Sequence, residues 1–432
     1  MKILVAGWDS GGGVEAVQTV VRRAVARGHQ VRVLGTEGLR SRFEAAGADF
    51  RPYRYAPDND TRSAATDLVR EWEARTPLGM FARVRDRVMF GPAHEFCRDV
   101  LEELDSEPAD LVAVDTLIPS ALSGAEAVGY PSVLLMHGPY MMPRPDAPPP
   151  GTGFMPAHGP LGSWRDRTAA SLMNRVFRTA LPAFNQARAE LGLAPVRDLA
   201  DVINAASRVL VCTSPSYDFA AATVPGYVRY VGPQLDDGAD DCADAGGGTW
   251  DDPGGPPLVL VSLSSTVMSH EQELLQRAAD ALGRLPVRGL VTTGPAVDPA
   301  AIRAPANVSV RRWVRHADVL PSCSAVLTHG GHGTVIKALT AGVPLVVVPL
   351  GRDQPDNAAR VLHAGAGLRL SKKARVPALR DAIGRVLDEP RYRAAARRMA
   401  ATLAAERDES LVVDELERAI LSHQVHHDPS RR

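Results

Sequence analysis

Short, uniformly apolar runs alternate with amphipathic stretches along this chain, and that alternation leaves few folds open. "KILVAG" (2–7) is followed by a glycine-rich turn, a stretch with helical spacing that ends at Gly28, and a second apolar run, "QVRVLG" (30–35). Strand, turn, helix and strand in that order form a βαβ unit, with parallel strands and a right-handed crossover. The pattern returns at "ADLVAVD" (109–115), a helix over 119–128 and "SVLLMHG" (132–138), then at "RVLVCTS" (208–214) and "VRYVGPQL" (228–235). A second series runs from "LVLVSLSS" (258–265) through a helix over 271–283, "RGLVTTG", "VSVRRWV", "AVLTHGG", another helix and "PLVVVPL". Strands covered on both faces read as continuous apolar runs of this kind.

Between the two series lies "DDGADDCADAGGGTWDDPGGPP", acidic, glycine-rich and without periodicity, which reads as a linker. The expected fold class is therefore α/β, with two doubly wound, Rossmann-like domains facing each other across a cleft. The first domain is expected over 1–235, the linker over 236–256 and the second domain over 257–400; a C-terminal helix and tail over 401–432 should pack back toward the first domain. A net charge of −1 gives no reason to expect nucleic acid or an anionic membrane as partner. No apolar run reaches the ~18 residues of a membrane span. Cys97, Cys212, Cys242 and Cys323 are scattered, without a CxxC pair, as expected of reduced thiols in a cytoplasmic protein. Monomer and homodimer both remain open.

The most informative stretch is "LTHGGHGTVIKAL". An apolar strand stops at His329 and a helix is expected to start near Gly333. Glycines such as Gly331 and Gly333 let backbone N–H groups approach a ligand, and a helix start attracts phosphate. His329 and the Thr334 hydroxyl can add donors. One helix and one strand later, "GVPLVVVPLGRDQPDNAARV" puts Asp353 and Gln354 on the next loop at the same sheet edge, where a carboxylate and an amide suit the vicinal hydroxyls of a sugar. Trp313, on the preceding βα loop, offers an aromatic face for a nucleobase.

These motifs, His329-Gly-Gly-His-Gly-Thr, Trp313, Gly342-Val-Pro and Asp353-Gln354, resemble the nucleotide-sugar signature of family 1 glycosyltransferases with the GT-B fold. The likeness is to bacterial enzymes that decorate natural products such as antibiotics. It implies an acceptor domain followed by a nucleotide-sugar domain, and transfer to a hydrophobic small molecule with inversion, no metal and no cofactor. It also implies Trp313 and the Val314 backbone at the base, and His329 and Thr334 on the diphosphate. Ser265 and Thr266 would close over the phosphates, and Asp353 and Gln354 would hold the sugar. The expected partners are a nucleotide sugar and a small-molecule acceptor.

Three positions depart from the family pattern. Lys337 stands where many UDP-sugar enzymes carry a glutamate on the ribose hydroxyls, and an ammonium cannot accept from two hydroxyls. Its presence suits a dTDP donor and hence a deoxysugar. His316 replaces a frequent glutamine. Gly13 falls where the family usually carries the histidine that takes the acceptor's proton. The candidates left for that role are Asp9 on the same loop and Asp115 at the end of "ADLVAVD", with His137 a weaker third facing the same crevice. The Pro/Gly-rich loop over 141–163 and "RVMFGPAHEF" are expected to shape the acceptor pocket, through Met141, Phe90 and His137. Gly13 also leaves open a non-catalytic helper that keeps the nucleotide-sugar fold. An oxidoreductase reading rests only on "GGGVEA" and Glu37, and its first matching glycine lies too far from the strand end for the tight turn.

Overall fold

The computed structural model describes residues 1–61, 63–74, 76–144, 146–220, 224–235 and 254–426. The expected linker lies outside the described residues except at 254–256, as do Cys242 and the tail over 427–432. Seven parallel strands form the first sheet: β1 (Lys2–Ala6), β2 (Gln30–Gly35), β3 (Asp49–Pro52), β4 (Leu111–Asp115), β5 (Ser132–Met136), β6 (Arg208–Val211) and β7 (Val228–Tyr230). Their order is β3-β2-β1-β4-β5-β6-β7. Six more make a second parallel sheet: β8 (Leu258–Ser262), β9 (Arg288–Thr292), β10 (Val308–Arg311), β11 (Cys323–Thr328), β12 (Leu345–Val347) and β13 (Gly367–Arg369), in the order β10-β9-β8-β11-β12-β13.

Each sheet is covered on both faces, which is why its strands carry no polar alternation. Ile3 and Val5 of β1 enter one core with Val17, Val21 and Val33, while Leu4 and Ala6 enter another with Phe96, Val112 and Leu134. Val259 and Val261 of β8 are likewise separated from Leu258 and Leu260. Two edge strands, β3 and β13, have no counterpart in the sequence reading. Each is short and only partly buried, so neither shows a continuous apolar run. The Pro/Gly-rich stretch also ends earlier than expected: a helix runs over Gly159–Arg178, with Pro160 in its first turn, where a missing N–H costs no hydrogen bond.

The last helix, Leu411–His426, crosses back to the first domain. Val412, Val413, Leu416 and Ala419 join that domain's core, and Arg27 pairs with Asp414 at 2.7 Å. The two domains also meet through a buried charge cluster. Asp218, beyond β6, accepts from Arg360 Nε of the helix Gln354–His363 at 2.9 Å and from the Tyr230 hydroxyl at 2.6 Å. In both sheets the order reverses beside the first strand, between β1 and β4 and between β8 and β11. Loops leaving the carboxyl ends there diverge and open a crevice. The two crevices face each other.

Candidate active site

A cavity of about 1910 Å³ occupies the space between the domains. Its second-domain wall is made by the loops after β8, β10, β11 and β12. At the end of β11 the chain passes through Gly330, whose positive φ of 97° and close approach to Val347 exclude a side chain. A helix then runs over His332–Thr340, one residue earlier than the sequence indicated. The first N–H groups of that helix have no intrahelical carbonyl, so His332, Gly333 and Thr334 present donors at the cavity wall. Gly331 supplies clearance of another kind: a Cβ there would lie 2.8 Å from His329 Nε2. Burial, helped by the positive charge of Arg352, holds the His329 pKa down to about 3, so its imidazole is neutral. Burial likewise lowers His316 to about 3, and its Nε2 lies 3.1 Å from Ser262 Oγ at the end of β8.

Trp313 lines the cavity half-buried, while the Val314 side chain turns into the core and leaves only its backbone for a ligand. Ser265 is exposed at the wall, but Thr266 is buried and its hydroxyl lies 2.9 Å from Ser264 Oγ. Ser264 thereby organises the loop, a role the sequence reading missed, and its N–H donates to Glu271 at 2.8 Å. Burial raises that carboxyl to about 8. Asp353 is exposed to the cavity, with one oxygen accepting from Asn357 at 2.7 Å. Gln354 is buried. Its carbonyl accepts from the Leu350 and Gly351 N–H groups at 2.7 and 2.9 Å, which fixes the loop and leaves its amide NH2 facing the Met268 sulfur at 3.3 Å.

The first-domain wall sorts the remaining candidates differently from the sequence. The Asp9 carboxylate accepts from the Gly11 N–H at 3.1 Å and from the Thr61 N–H and hydroxyl at 3.3 and 3.2 Å. These donors tie it to its own turn and to the segment after β3. Asp115 is fully buried and does not line the cavity, so the expectation that it faces the acceptor directly is corrected. His137 does line it, 19% exposed, with Nε2 at 3.5 Å from Asp115 Oδ1. Phe90 also needs correcting: it is buried between Phe177 and Phe184, with ring centroids 6.4 and 5.1 Å away, and forms core rather than pocket. Met141 lines the cavity, together with Met80, Met89, Met142 and Met173 of the same domain; Met268 faces them from the second.

Contacts between the two walls help close the cleft. Lys337 Nζ lies 2.5 Å from Glu15 Oε1 of the first domain. Asp356, at the cavity wall of the second domain, accepts from the Gly153 N–H at 2.6 Å and from the Gly151 N–H at 2.5 Å, fastening the Pro/Gly-rich loop across the gap. No sequence signal marked Asp356, whose partners are backbone groups more than two hundred residues away.

Residues 278–419 match the family described as erythromycin biosynthesis protein CIII-like, C-terminal domain. The chain is 32% identical over 409 residues to 4'-demethylrebeccamycin synthase of Lentzea aerocolonigenes, spanning 94% of this chain and 96% of that protein. It belongs to the natural-product glycosyltransferases. This glycosyltransferase is also 27% identical, over 94% of each chain, to the O-mycaminosyltylonolide 6-deoxyallosyltransferase of Streptomyces fradiae. Its fold matches the crystal structure of the calicheamicin glycosyltransferase CalG4 with a TM-score of 0.75 over 99% of both chains, at 23% identity. The two facing parallel-sheet domains are thus the GT-B arrangement expected from the motifs.

Proposed function

We propose that this glycosyltransferase moves a sugar from a dTDP- or UDP-sugar to an apolar small molecule, with inversion and without a metal. The observation that carries this reading is the shape of the cavity: one continuous space joins a wall of helix-start amides to a wall of methionines. A diphosphate seated at the first turn of His332–Thr340 would receive the orphan N–H groups and the dipole of that helix. Negative charge builds on the diphosphate as its bond to the sugar breaks, so fixed donors there lower the barrier directly. Neutral His329 adds one N–H to the same end of the site. Trp313 would stack on the base, and Asp353 with the Gln354 NH2 would meet the sugar hydroxyls. The methionine wall suits a bulky apolar acceptor, since unbranched thioethers adapt to irregular surfaces.

Lys337 supports dTDP over UDP. It is held by Glu15 and offers no acceptor to a ribose 2′-hydroxyl. The Streptomyces fradiae relative is named for a deoxysugar, which agrees with this direction. Calorimetric titration with dTDP and UDP tests the reading. The expected result is binding of both, tighter for dTDP; binding of neither removes the proposal.

A further inference from the structure

We propose that His137, oriented by Asp115, takes the proton of the acceptor, and that Gly13 is the space this imidazole requires. The proposal rests on the sugar-transfer reading above and adds the proton acceptor which that reading lacks. A Cβ built on Gly13 would stand 2.6 Å from His137 Nδ1 and 2.7 Å from its Cε1. The imidazole, carried in from the end of β5, thus fills the volume that a side chain at position 13 would need. Position 13 and residue 137 cannot both be large. A glycine in the loop after β1 and a histidine at the end of β5, two strands along the sheet, are two halves of one arrangement.

The ring is placed for the task. Nε2 lies 3.5 Å from Asp115 Oδ1, an ion-pair contact rather than a formed hydrogen bond; Oδ1 is fixed by the Leu117 N–H at 2.8 Å, and Nε2 and Asp115 Oδ2 have no hydrogen-bond partner among the described residues. A fully buried carboxylate beside one ring nitrogen keeps the proton on that nitrogen and leaves the other, Nδ1, with a free lone pair. Nδ1 makes no hydrogen bond among the described residues and lies on the side of the Gly11–Gly13 turn, at the cavity. The charged and titratable groups facing the ring are Asp115 behind it, and Asp353 and His332 across the cleft. Burial pulls the His137 pKa down, but Asp115 and Asp353 more than reverse this and leave it raised above 6.5. Burial holds His332 neutral at about 4.

In the step itself, the acceptor proton moves to Nδ1 while the acceptor's electron pair forms the bond to the anomeric carbon. The bond from that carbon to the diphosphate oxygen breaks, and its electron pair leaves with the nucleoside diphosphate. Asp115 stays ionised and stabilises the imidazolium, which later returns its proton to water.

The test uses the full chain, a dTDP-sugar donor and two phenols as probes: 1-naphthol, un-ionised at neutral pH, and 2-chloro-4-nitrophenol, already ionised. His137→Gln should lower kcat with naphthol by about 10²–10⁴-fold, change the ionised phenol less than about fivefold, and leave the Kd for dTDP unchanged. Gly13→Ala should also slow naphthol by pushing the ring aside. The acidic limb of kcat/KM should lie above pH 6.5 and move to lower pH in Asp115→Asn. Equal losses on both phenols, or naphthol turnover in His137→Gln within threefold of the unmodified chain, overturn the proposal. If neither phenol is accepted, histidine NMR titration decides: a His137 pKa above 6.5 that falls in Asp115→Asn supports it, and one indifferent to Asp115 overturns it. Absence of dTDP and UDP binding would sink the sugar-transfer reading separately, because the NMR titration needs no donor.

Discussion

Gly331→Ala separates the proposed diphosphate contact from the rest of the fold. Gly331 has φ −59° and ψ 138°, a conformation that alanine adopts freely, so the backbone carries no penalty. Sterics decide the outcome. The new methyl would stand 2.8 Å from His329 Nε2 and 2.9 Å from Cε1. Comfortable contacts begin near 3.5 Å, so the ring must retreat by roughly 0.7 Å. Turning it off its rotamer costs about 0.5–1.5 kcal/mol, a strain borne with or without ligand, and losing a charge-assisted hydrogen bond to phosphate costs about 1.5–3 kcal/mol of binding. The second amounts to roughly 10- to 150-fold in nucleotide affinity. Calorimetry with dTDP measures the Kd, and thermal unfolding without ligand should show a midpoint lowered only by the small rotamer strain. A Kd within twofold of the original would show that His329 does not contact the diphosphate.

Phe90→Ala should destabilise the chain by about 3–5 kcal/mol in denaturant titration, as a core truncation does, whereas Met141→Ala at the cavity wall should cost under about 1 kcal/mol and change acceptor KM instead. Glu15→Lys and Lys337→Glu should each lower the thermal midpoint by placing like charges face to face, and the double exchange should recover it, with a coupling of about 1–2 kcal/mol. Acid should unfold the protein early. His316, His329 and His332, held near 3, 3 and 4 by burial, take up protons only on unfolding, so their contribution to stability is complete above pH 6.5 and falls as pH drops below it. Glu271, raised to about 8, works the other way between pH 4.5 and 8, leaving a net loss of about 2–3 kcal/mol per pH unit from 6.5 down to 4.5. A thermal midpoint that stays flat from pH 7 to 5 would contradict those assignments.

The doubly wound sheets were legible because strands buried on both faces leave an unbroken apolar record, and the glycines after His329 announced the strand-to-helix turn at the cavity wall. Side-chain direction left no such record. Phe90 and Met141 lie in equally apolar contexts, yet one fills the core and the other faces the cavity. Asp9 and Asp115 both end first-sheet strands or their loops, but hydrogen bonds from Gly11 and from the distant Thr61 hold the first, and complete burial removes the second from the surface. The contact between Gly13 and His137 joins residues far apart in the chain, and only the sheet order, which sets β4 between β1 and β5, brings them together at one edge. The same holds for Glu15 with Lys337 and for Gly153 with Asp356, which depend on how the domains face each other.

A crystal structure of the full chain with dTDP bound tests the central claim most directly. The account predicts the diphosphate against the N–H groups of His332, Gly333 and Thr334, within hydrogen-bond reach of His329, and thymine over Trp313. A diphosphate seated elsewhere in the cleft, or on the first-domain wall beside Gly11–Gly13, would contradict it.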